Sequence, residues 1–397
     1  MPHPKILLQF DTDSQPSSFD SVVAVDAGVD HLLQYAAVTP ENVVSLVHGA
    51  MFTRGVDQLK NTALFVGGSD VAAGELLLKK IDEIFFGPIR VSVMLDSGGC
   101  NTTATAAVLS AARHVTLGGA RATVLAATGP VGTIVCRLLA AQGCHVFAGS
   151  RSANRAEAVC ERIREALPNA QIEPLETGDH WNRLPDETQV VIAAGAEGIE
   201  LLPAKVRASA TDLRVAIDLN AVPPLGIEGI EVHDRAKPDG EAICYGAIGV
   251  GGTKMKIHKA AIEALFASND RLLDAEAIFT LGQELDAVRG WRFHPLLNLS
   301  CPAEQKINQH ASADHPQDDS PSPPPSPFFF RTHLTQLDGA ALINDRSRTV
   351  FDFDRLRCFL GALGQRPGDF ILRLPQDSLR RRLWRHPQRG HRIGKRQ

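Results

Sequence analysis

No stretch of this sequence approaches the roughly 18 consecutive apolar residues that would cross a bilayer, and the apolar run inside MPHPKILLQFDTD is too short for a signal peptide. A cytoplasmic protein without a membrane partner is the expectation. Disulfide and metal-ligand spacing is missing as well. The seven cysteines, Cys100, Cys136, Cys144, Cys160, Cys244, Cys301 and Cys358, form no CxxC pair and have no histidine at ligand intervals. A disulfide framework and a zinc site are therefore not indicated, and no metal-binding residue is assigned. A dominant charge is also missing, but the net of −4 conceals an uneven spread. Residues 1–289 carry 24 Lys and Arg against 35 Asp and Glu, whereas residues 290–397 carry 17 against 10, nearly all of the 17 being arginine. Sign and composition both change near residue 290, which marks a boundary. At 397 residues, 44% of them hydrophobic, the chain exceeds what one core serves, so two domains and an extension are expected.

What is present is a strand, a tight turn, a helix and a second strand between Arg121 and Arg155. An apolar run from Ala122 to Ala126 leads into Thr128, Gly129, Pro130, Val131 and Gly132, followed by a helix carrying Ile134, Val135, Leu138 and Leu139. Glycine admits a pyrophosphate close to the backbone, and the unpaired N–H groups at the positive helix end point at the anion. The next strand, from His145, ends where such folds grip the adenosine ribose, commonly with a carboxylate. Here Ser150, Arg151 and Ser152 stand there, with Arg155 one turn on. Arginine can hold a 2′-phosphate in two-pronged fashion where a carboxylate would repel it, so NADP is expected over NAD. An ordinary solvated arginine remains the alternative for Arg151.

Taken in order, Lys5 to Phe10 reads as a strand ending in Asp11 and Asp13, and Phe19 to Val25 is apolar enough to be buried. Asp13 either faces a ligand cleft or caps the turn. Lys60, before a strand at Thr62 to Val66, is either a substrate group or a loop lysine. A helix over Val71 to Phe86 places Leu76, Leu77, Lys80, Ile81 and Ile84 at helical spacing, and a strand at Arg90 to Leu95 precedes DSGGCNTT, Asp96 to Thr103. Helix capping explains one of Asn101, Thr102 and Thr103, but not the glycine pair. Further on, the strand Gln189 to Ala193 ends in Ala194 and Gly195, small enough for a close passage beside a nicotinamide, and another strand ends in Asp218 and Asn220. The four glycines and two lysines of YGAIGVGGTKMKIH, Tyr245 to His258, are hard to read as ordinary core. Helices at Lys259 to Phe266 and Ala275 to Leu285 close the body. Alternating strands and helices predict an α/β fold with a parallel, doubly wound sheet.

These stretches together resemble the NADP-dependent methylene-tetrahydromethanopterin dehydrogenase family. The resemblance rests on LLQFDTD and PSSFD between Leu7 and Asp20, VTPENV at Val38, ALFVGGSDVAAGE at Ala63, FFGPIRVSVMLDS at Phe85, ATGPVG at Ala127, LNAVPPLGIEGI at Leu219 and GAIGVGGTKMKIH at Gly246. It spans about residues 5–288. It implies an N-terminal α/β pterin-binding domain over 1–115 completed by helices 257–289, and an NADP-binding Rossmann domain over 116–256. The implied reaction is reversible hydride transfer from 5,10-methylene-tetrahydromethanopterin to NADP+. Asp13, Lys60, Asn101, Thr102, Asp218 and Lys256 are expected on the pterin side, with Asn220 beside the cofactor. Members of the family also use tetrahydrofolate or NAD, and a homo-oligomer is expected. The rival readings are a methylene-tetrahydrofolate dehydrogenase with cyclohydrolase activity and a non-catalytic NADPH sensor. One departure is Ala127, where the family usually has glycine; its methyl is expected to crowd the turn.

The extension, 290–397, contains SPSPPPSP at Ser320 to Pro327 and RRRLWR at Arg380 to Arg385, and is expected to be largely disordered. Such a basic run could attract nucleic acid, but the resemblance ends before it, and nucleic acid is not the expected partner. A chain ended at Arg289 is expected to keep full dehydrogenase activity in a steady-state assay; lost activity with an unchanged circular dichroism spectrum would make the extension part of the enzyme.

Overall fold

Alternation of strand and helix begins with β1 (Ile6–Asp11), α1 (Ser18–Asp26), β2 (His31–Tyr35) and α2 (Val44–Met51), then β3 (Thr62–Gly67), α3 (Val71–Ile84), β4 (Ser92–Leu95) and α4 (Cys100–Ala112). It continues through β5 (Arg121–Leu125), α5 (Pro130–Ala141), β6 (His145–Ser150), α6 (Ala153–Ala166), β7 (Ile172–Glu176), β8 (Val190–Ala193), α7 (Ala204–Ala208) and β9 (Val215–Asp218). The last elements are β10 (Lys237–Asp239), β11 (Ala242–Tyr245), α8 (Ala247–Ala264), β12 (Leu272–Leu273) and α9 (Ala275–Val288). This computed structural model describes residues 3–178 and 182–288. The chain divides into Met1–Lys306 and Ile307–Gln397, and all described residues belong to the first unit. The extension expected to be disordered lies outside the described residues. Among those described, no helix is long and apolar enough to cross a membrane.

Two sheets form. The first has the order β12-β4-β3-β1-β2 with every pair parallel, so the C-terminal β12 returns to the edge of a sheet otherwise built from the first hundred residues. The second, β10-β11-β9-β8-β5-β6-β7, is parallel except for β10. Counted from β5, its parallel strands follow the Rossmann order, and the order reverses between β5 and β8. Ligands of such sheets bind at the carboxyl edge of that switch point, where Leu125 pairs with Ala193.

Helix α4 joins the two sheets. Eleven of its 13 residues are buried, among them Ala104, Ala106, Ala107 and Ala111, and small side chains let α5, α8 and α9 all approach it. Its apolar atoms belong to one continuous core containing Phe65 and Met94 of the first sheet and Val124 and Ile192 of the second. At its end Arg113 donates from Nε and Nη2 to the two carboxylate oxygens of Asp286 in α9, at 2.9 and 3.0 Å, and from Nη1 to Thr253 of α8 at 3.3 Å. Arg113 and Asp286 are nearly buried, at 10% and 5% side-chain exposure, so each charge depends on the other.

Two local expectations need correction. Phe19, Val22 and Val25 are exposed, at 49%, 61% and 61%, because α1 turns only Asp20, Val23 and Ala24 inward. The helix expected from residue 257 begins at Ala247, inside the glycine-rich stretch, and runs unbroken across positions 256 and 257. Its glycines at 246 and 249 lie under the backbone of 231–235: a β-carbon at Gly249 would sit 1.9 Å from the Asp234 carbonyl oxygen. Packing required these glycines. Asp286→Ala is expected to destabilise the fold by about 3–5 kcal/mol in urea titration, since it removes the opposite charge from a nearly buried guanidinium.

Candidate functional site

The turn between β5 and α5 stands at the switch point. Gly129 caps α5 without any side-chain hydrogen bond, and Pro130 follows at the first helical position, so side chains leave the start of the helix to an outside acceptor. Gly132 holds the turn against the strand: a β-carbon there would lie 2.5 Å from the Ala126 carbonyl oxygen and 2.8 Å from the Ala127 Cα. Thr133 Oγ1 donates to the Ala127 carbonyl at 3.0 Å. Ala127 itself is fully buried, and the left-handed conformation, φ 57°, falls on Ala126 instead. Thr128 and Val131 are half-buried at the same turn. A β-carbon at Gly129 would lie 3.7 Å from the Ala194 carbonyl oxygen, so Ala194 borders the turn from β8, with half-buried Gly195 next to it. At the end of β6, Ser150 is buried and accepts from the Ser152 N–H at 3.3 Å, while Arg151 and Arg155 are exposed. These residues fit a dinucleotide: small backbone at the switch point, a helix start with no capping side chain, and two free-standing arginines one strand over.

At the carboxyl edge of the first sheet a second group assembles around Asp96, which is fully buried after β4. Its carboxylate accepts from the Thr102 N–H at 3.0 Å and from Thr102 Oγ1 at 2.6 Å. Asn101 is buried beside it and donates to the Leu95 carbonyl at 2.6 Å. Thr102 and Asn101 thus act here as braces between β4 and α4. The glycine pair that capping left unexplained has φ values of 58° and 66° at Gly98 and Gly99, a left-handed turn that lets the chain enter α4 over the carboxylate. Facing Asp96 across the core is His258 of α8, with no exposure at all, stacked 5.8 Å from Phe65. Its Nδ1 lies 3.8 Å from Asp96 and its Nε2 3.9 Å from Asp20 of α1, too far for hydrogen bonds, and neither nitrogen has a partner. One helical turn earlier, Lys254 reaches the same place: its Nζ sits 4.6 Å over the Phe19 ring. A β-carbon at Gly99 would come within 2.6 Å of that nitrogen. The Cys100 thiol, pushed up to about 12 by burial and by Asp96, is no nucleophile.

The remaining candidates are scattered over both sheets. Lys60 is exposed in the 3-10 turn before β3, at the amino edge of the sheet, roughly 20 Å from the Asp96 edge along a six-residue strand. Lys256 is exposed on α8, whereas Lys254 and His258 share the inward face. Asp13 is half-buried at the right edge and accepts from Ser69 N–H and Oγ at 3.0 and 2.9 Å, tying the β1 turn to the β3 turn. Asp218, 1% exposed, accepts from the N–H groups of Asn220 and Ile227, both at 2.9 Å, and burial raises its pKa. Asn220 in turn donates to the Pro224 carbonyl and accepts from Val222. Both side chains are occupied in shaping the 219–227 loop. Among the described residues no cluster of His, Cys, Asp and Glu could hold a metal ion.

Comparison with known proteins bears on both edges. The family model for methylene-tetrahydromethanopterin dehydrogenase, N-terminal, matches residues 18–98, which contain Phe19, Asp20 and Asp96. A protein of Methylorubrum extorquens AM1 named Bifunctional protein MdtA is 42% identical over 285 residues, covering 71% of this chain and 99% of that one. The chain belongs to the methylene-tetrahydromethanopterin dehydrogenase family. A second protein of the same organism, named NAD(P)-dependent methylenetetrahydromethanopterin dehydrogenase, is 28% identical over 286 residues, covering 68% and 94%. A solved 5-ketofructose reductase of Gluconobacter sp. strain CHM43 aligns with 71% of this chain and 99% of its own, at 16% identity and a TM-score of 0.39.

Sequence reasoning missed Asp20, Asp96, Lys254 and His258. For the last two the signal was available, since positions four apart share a helix face, but it needed a helix beginning before Lys254, which the glycines concealed. Burial pushes the Asp20 carboxyl up to about 6; the hydrogen bond from Ser17 pulls it back and Asp96 pushes it further up. Burial lowers His258, against the pull of Asp96. A carboxyl raised from 3.8 binds its proton more tightly in the folded chain, so its favourable share is complete below 3.8 and is lost as pH rises through about 6. His258 works in the opposite sense, losing its share as pH falls below 6.5, and that share is common to wild type and an Asp20 variant. Asp20→Asn is therefore expected to melt above wild type at about pH 8, with the advantage gone by about pH 4. An equal advantage at both pH values in thermal denaturation would contradict burial as the cause.

Proposed function

We propose that this protein oxidises 5,10-methylene-tetrahydromethanopterin to the 5,10-methenyl form and reduces NADP+ in the same step, reversibly. The observation that carries the reading is an uncapped, glycine-walled helix start at a Rossmann switch point, in a chain that matches a family relative over nearly that relative's whole length. When bound, the nicotinamide accepts a hydride from the carbon that bridges two pterin nitrogens. The nitrogen lone pairs stabilise the resulting cation, so no side chain has to remove a proton from carbon. The work of the chain is positioning, which can supply roughly 7–11 kcal/mol of the barrier in favourable cases.

In this reading the residues divide by sheet. The α5 start at Gly129 to Gly132 holds the pyrophosphate, Ala194 and Gly195 border the nicotinamide, and Arg151 and Arg155 grip the 2′-phosphate that separates NADP from NAD. The pterin side belongs to residues 1–115 and the C-terminal helices, with the dinucleotide side on the second sheet. There the buried carboxylates Asp20 and Asp96 supply negative potential toward the cationic product. Protein of this kind is expected to work as a homo-oligomer in the cytoplasm.

The test is a steady-state assay of methylene-tetrahydromethanopterin and methylene-tetrahydrofolate, each against NADP+ and NAD+, on wild type and Arg151→Ser. Wild type should reduce NADP+ with the methanopterin substrate most efficiently. The variant should raise KM for NADP+ about tenfold while KM for NAD+ stays close to wild type. NADPH binding with no turnover of either pterin would make the protein a sensor and end the dehydrogenase reading.

A further inference from the structure

We infer that His114 and Tyr245 form a clasp across the junction of the two sheets and act as a positioning pair for hydride transfer. This rests on the dehydrogenase reading and goes beyond it by assigning the contact that fixes one ligand edge relative to the other.

The chain passes between the sheets twice, from α4 into β5 and from β11 into α8. The second passage has no slack. Gly246 alone separates Tyr245 from α8; its N–H donates to the Asp234 carbonyl at 2.8 Å, and the Ile248 N–H donates to the Val232 carbonyl at 2.8 Å. A β-carbon at Gly246 would collide with the Glu231 carbonyl, so α8 leaves the second sheet as a rod seated in the 231–235 loop. The first passage is looser. Arg113 is tied to α9 and α8, and the chain is next fixed at Leu117 and Gly119. There the Leu117 carbonyl accepts from Cys144 Sγ at 3.1 Å, and the Gly119 N–H donates to the Gly143 carbonyl at 2.9 Å. The gap between these anchors, residues 114–116, is bridged by the His114 ring, whose Nε2 lies 2.8 Å from Tyr245 Oη at the end of β11.

The surroundings favour one form of this bond. Burial lowers the His114 pKa and Arg113 lowers it further, so the imidazole is neutral and Nε2 accepts. Burial raises the Tyr245 phenol against the pull of Arg113, so the hydroxyl keeps the proton it donates. The angle of α4 matters because the helix is a lever, with Asn101 and Thr102 of the Asp96 edge at its far end. Its alanine-rich middle packs by apolar contact, which is non-directional, so polar bonds at the helix end set the angle. Its 13 residues span about 20 Å, and a tilt of about 3° at the His114 end moves the far end by about 1 Å. A displacement of that size can slow a reaction between positioned groups about a hundredfold.

The test uses the full chain. Tyr245→Phe, His114→Ala and His114→Gln are compared with wild type for single-turnover NADPH formation from methylene-tetrahydromethanopterin and for binding of each ligand by isothermal titration. His114 is exposed and phenylalanine fills the space of the buried Tyr245 ring, so neither site disturbs the core. Glutamine presents an acceptor where Nε2 stood. Tyr245→Phe and His114→Ala should slow hydride transfer about tenfold with both dissociation constants within about twofold, and His114→Gln should recover to within about threefold of wild type. An unchanged rate in the first two variants, a matching loss of ligand affinity, or a glutamine variant as slow as the alanine one would overturn the assignment. The angle between the sheets is read separately by spin labels on Glu83→Cys of α3 and Glu161→Cys of α6, both exposed. The labelled chain has Cys301 and Cys358 changed to serine and is diluted with unlabelled chain; the five described cysteines are buried. Tyr245→Phe should broaden the distribution of label distances, and an unchanged distribution would overturn the clasp. A wild type that turns over no pterin defeats the dehydrogenase reading itself, and the label distances then decide the clasp alone.

Discussion

One buried carboxylate organises the carboxyl edge of the first sheet. Asp96 has no exposed surface, and its two hydrogen bonds from Thr102 fasten the end of β4 to the start of α4. Two left-handed glycines between them make the connection short enough for this bond to form. Because α4 packs against α5, α8 and α9, the position of Asp96 also determines where Lys254 and His258 can stand. At the other end of α4 the Arg113 and Asp286 pair serves the same purpose, tying the helix to α9 and, through Thr253, to α8. Helix α4 is thus held at both ends by charge and in the middle by small apolar side chains.

That construction suits hydride transfer between two bound rings. A reaction without proton abstraction from carbon requires few reacting side chains but accurate placement of two ligands, and the chain supplies rigid edges for each. The β5 turn is made rigid by close backbone contact at Gly132, and the Asp96 edge by buried hydrogen bonds. Phe19 near one edge and Arg151 and Arg155 near the other remain exposed. Their exposure is what allows specificity to vary without disturbing either core.

The dinucleotide turn was legible because its chemistry is local: a strand, glycines and a helix start follow one another within a dozen residues, and the same backbone makes the site. The strands β1, β3, β5 and β8 were legible for a similar reason, as short apolar runs ending in turn residues. By contrast, β2 carries exposed side chains at an edge and has no apolar run to announce it. The reading of α1 failed because apolar content alone says nothing about which face turns inward; Phe19, Val22 and Val25, three apart, form one stripe that faces solvent, while Asp20, Val23 and Ala24 turn inward. Asp218 and Asn220 were recognised as conspicuous polar residues at a strand end, yet their hydrogen bonds go to the 219–227 loop.

Sequence by itself determined the α/β class, the position of the glycine turn between β5 and α5 and, through ordered resemblance, the family. Each depends on residues close together in the chain or on composition. Only the tertiary structure decided which lysine of the GTKMKIH stretch turns inward, because that depends on where α8 begins and which of its faces meets α4. It also brought Asp20, Asp96 and His258 together from α1, the end of β4 and α8. No local pattern encodes such a meeting, since it arises from the parallel crossovers of the first sheet and the return of the C-terminal helices to its edge.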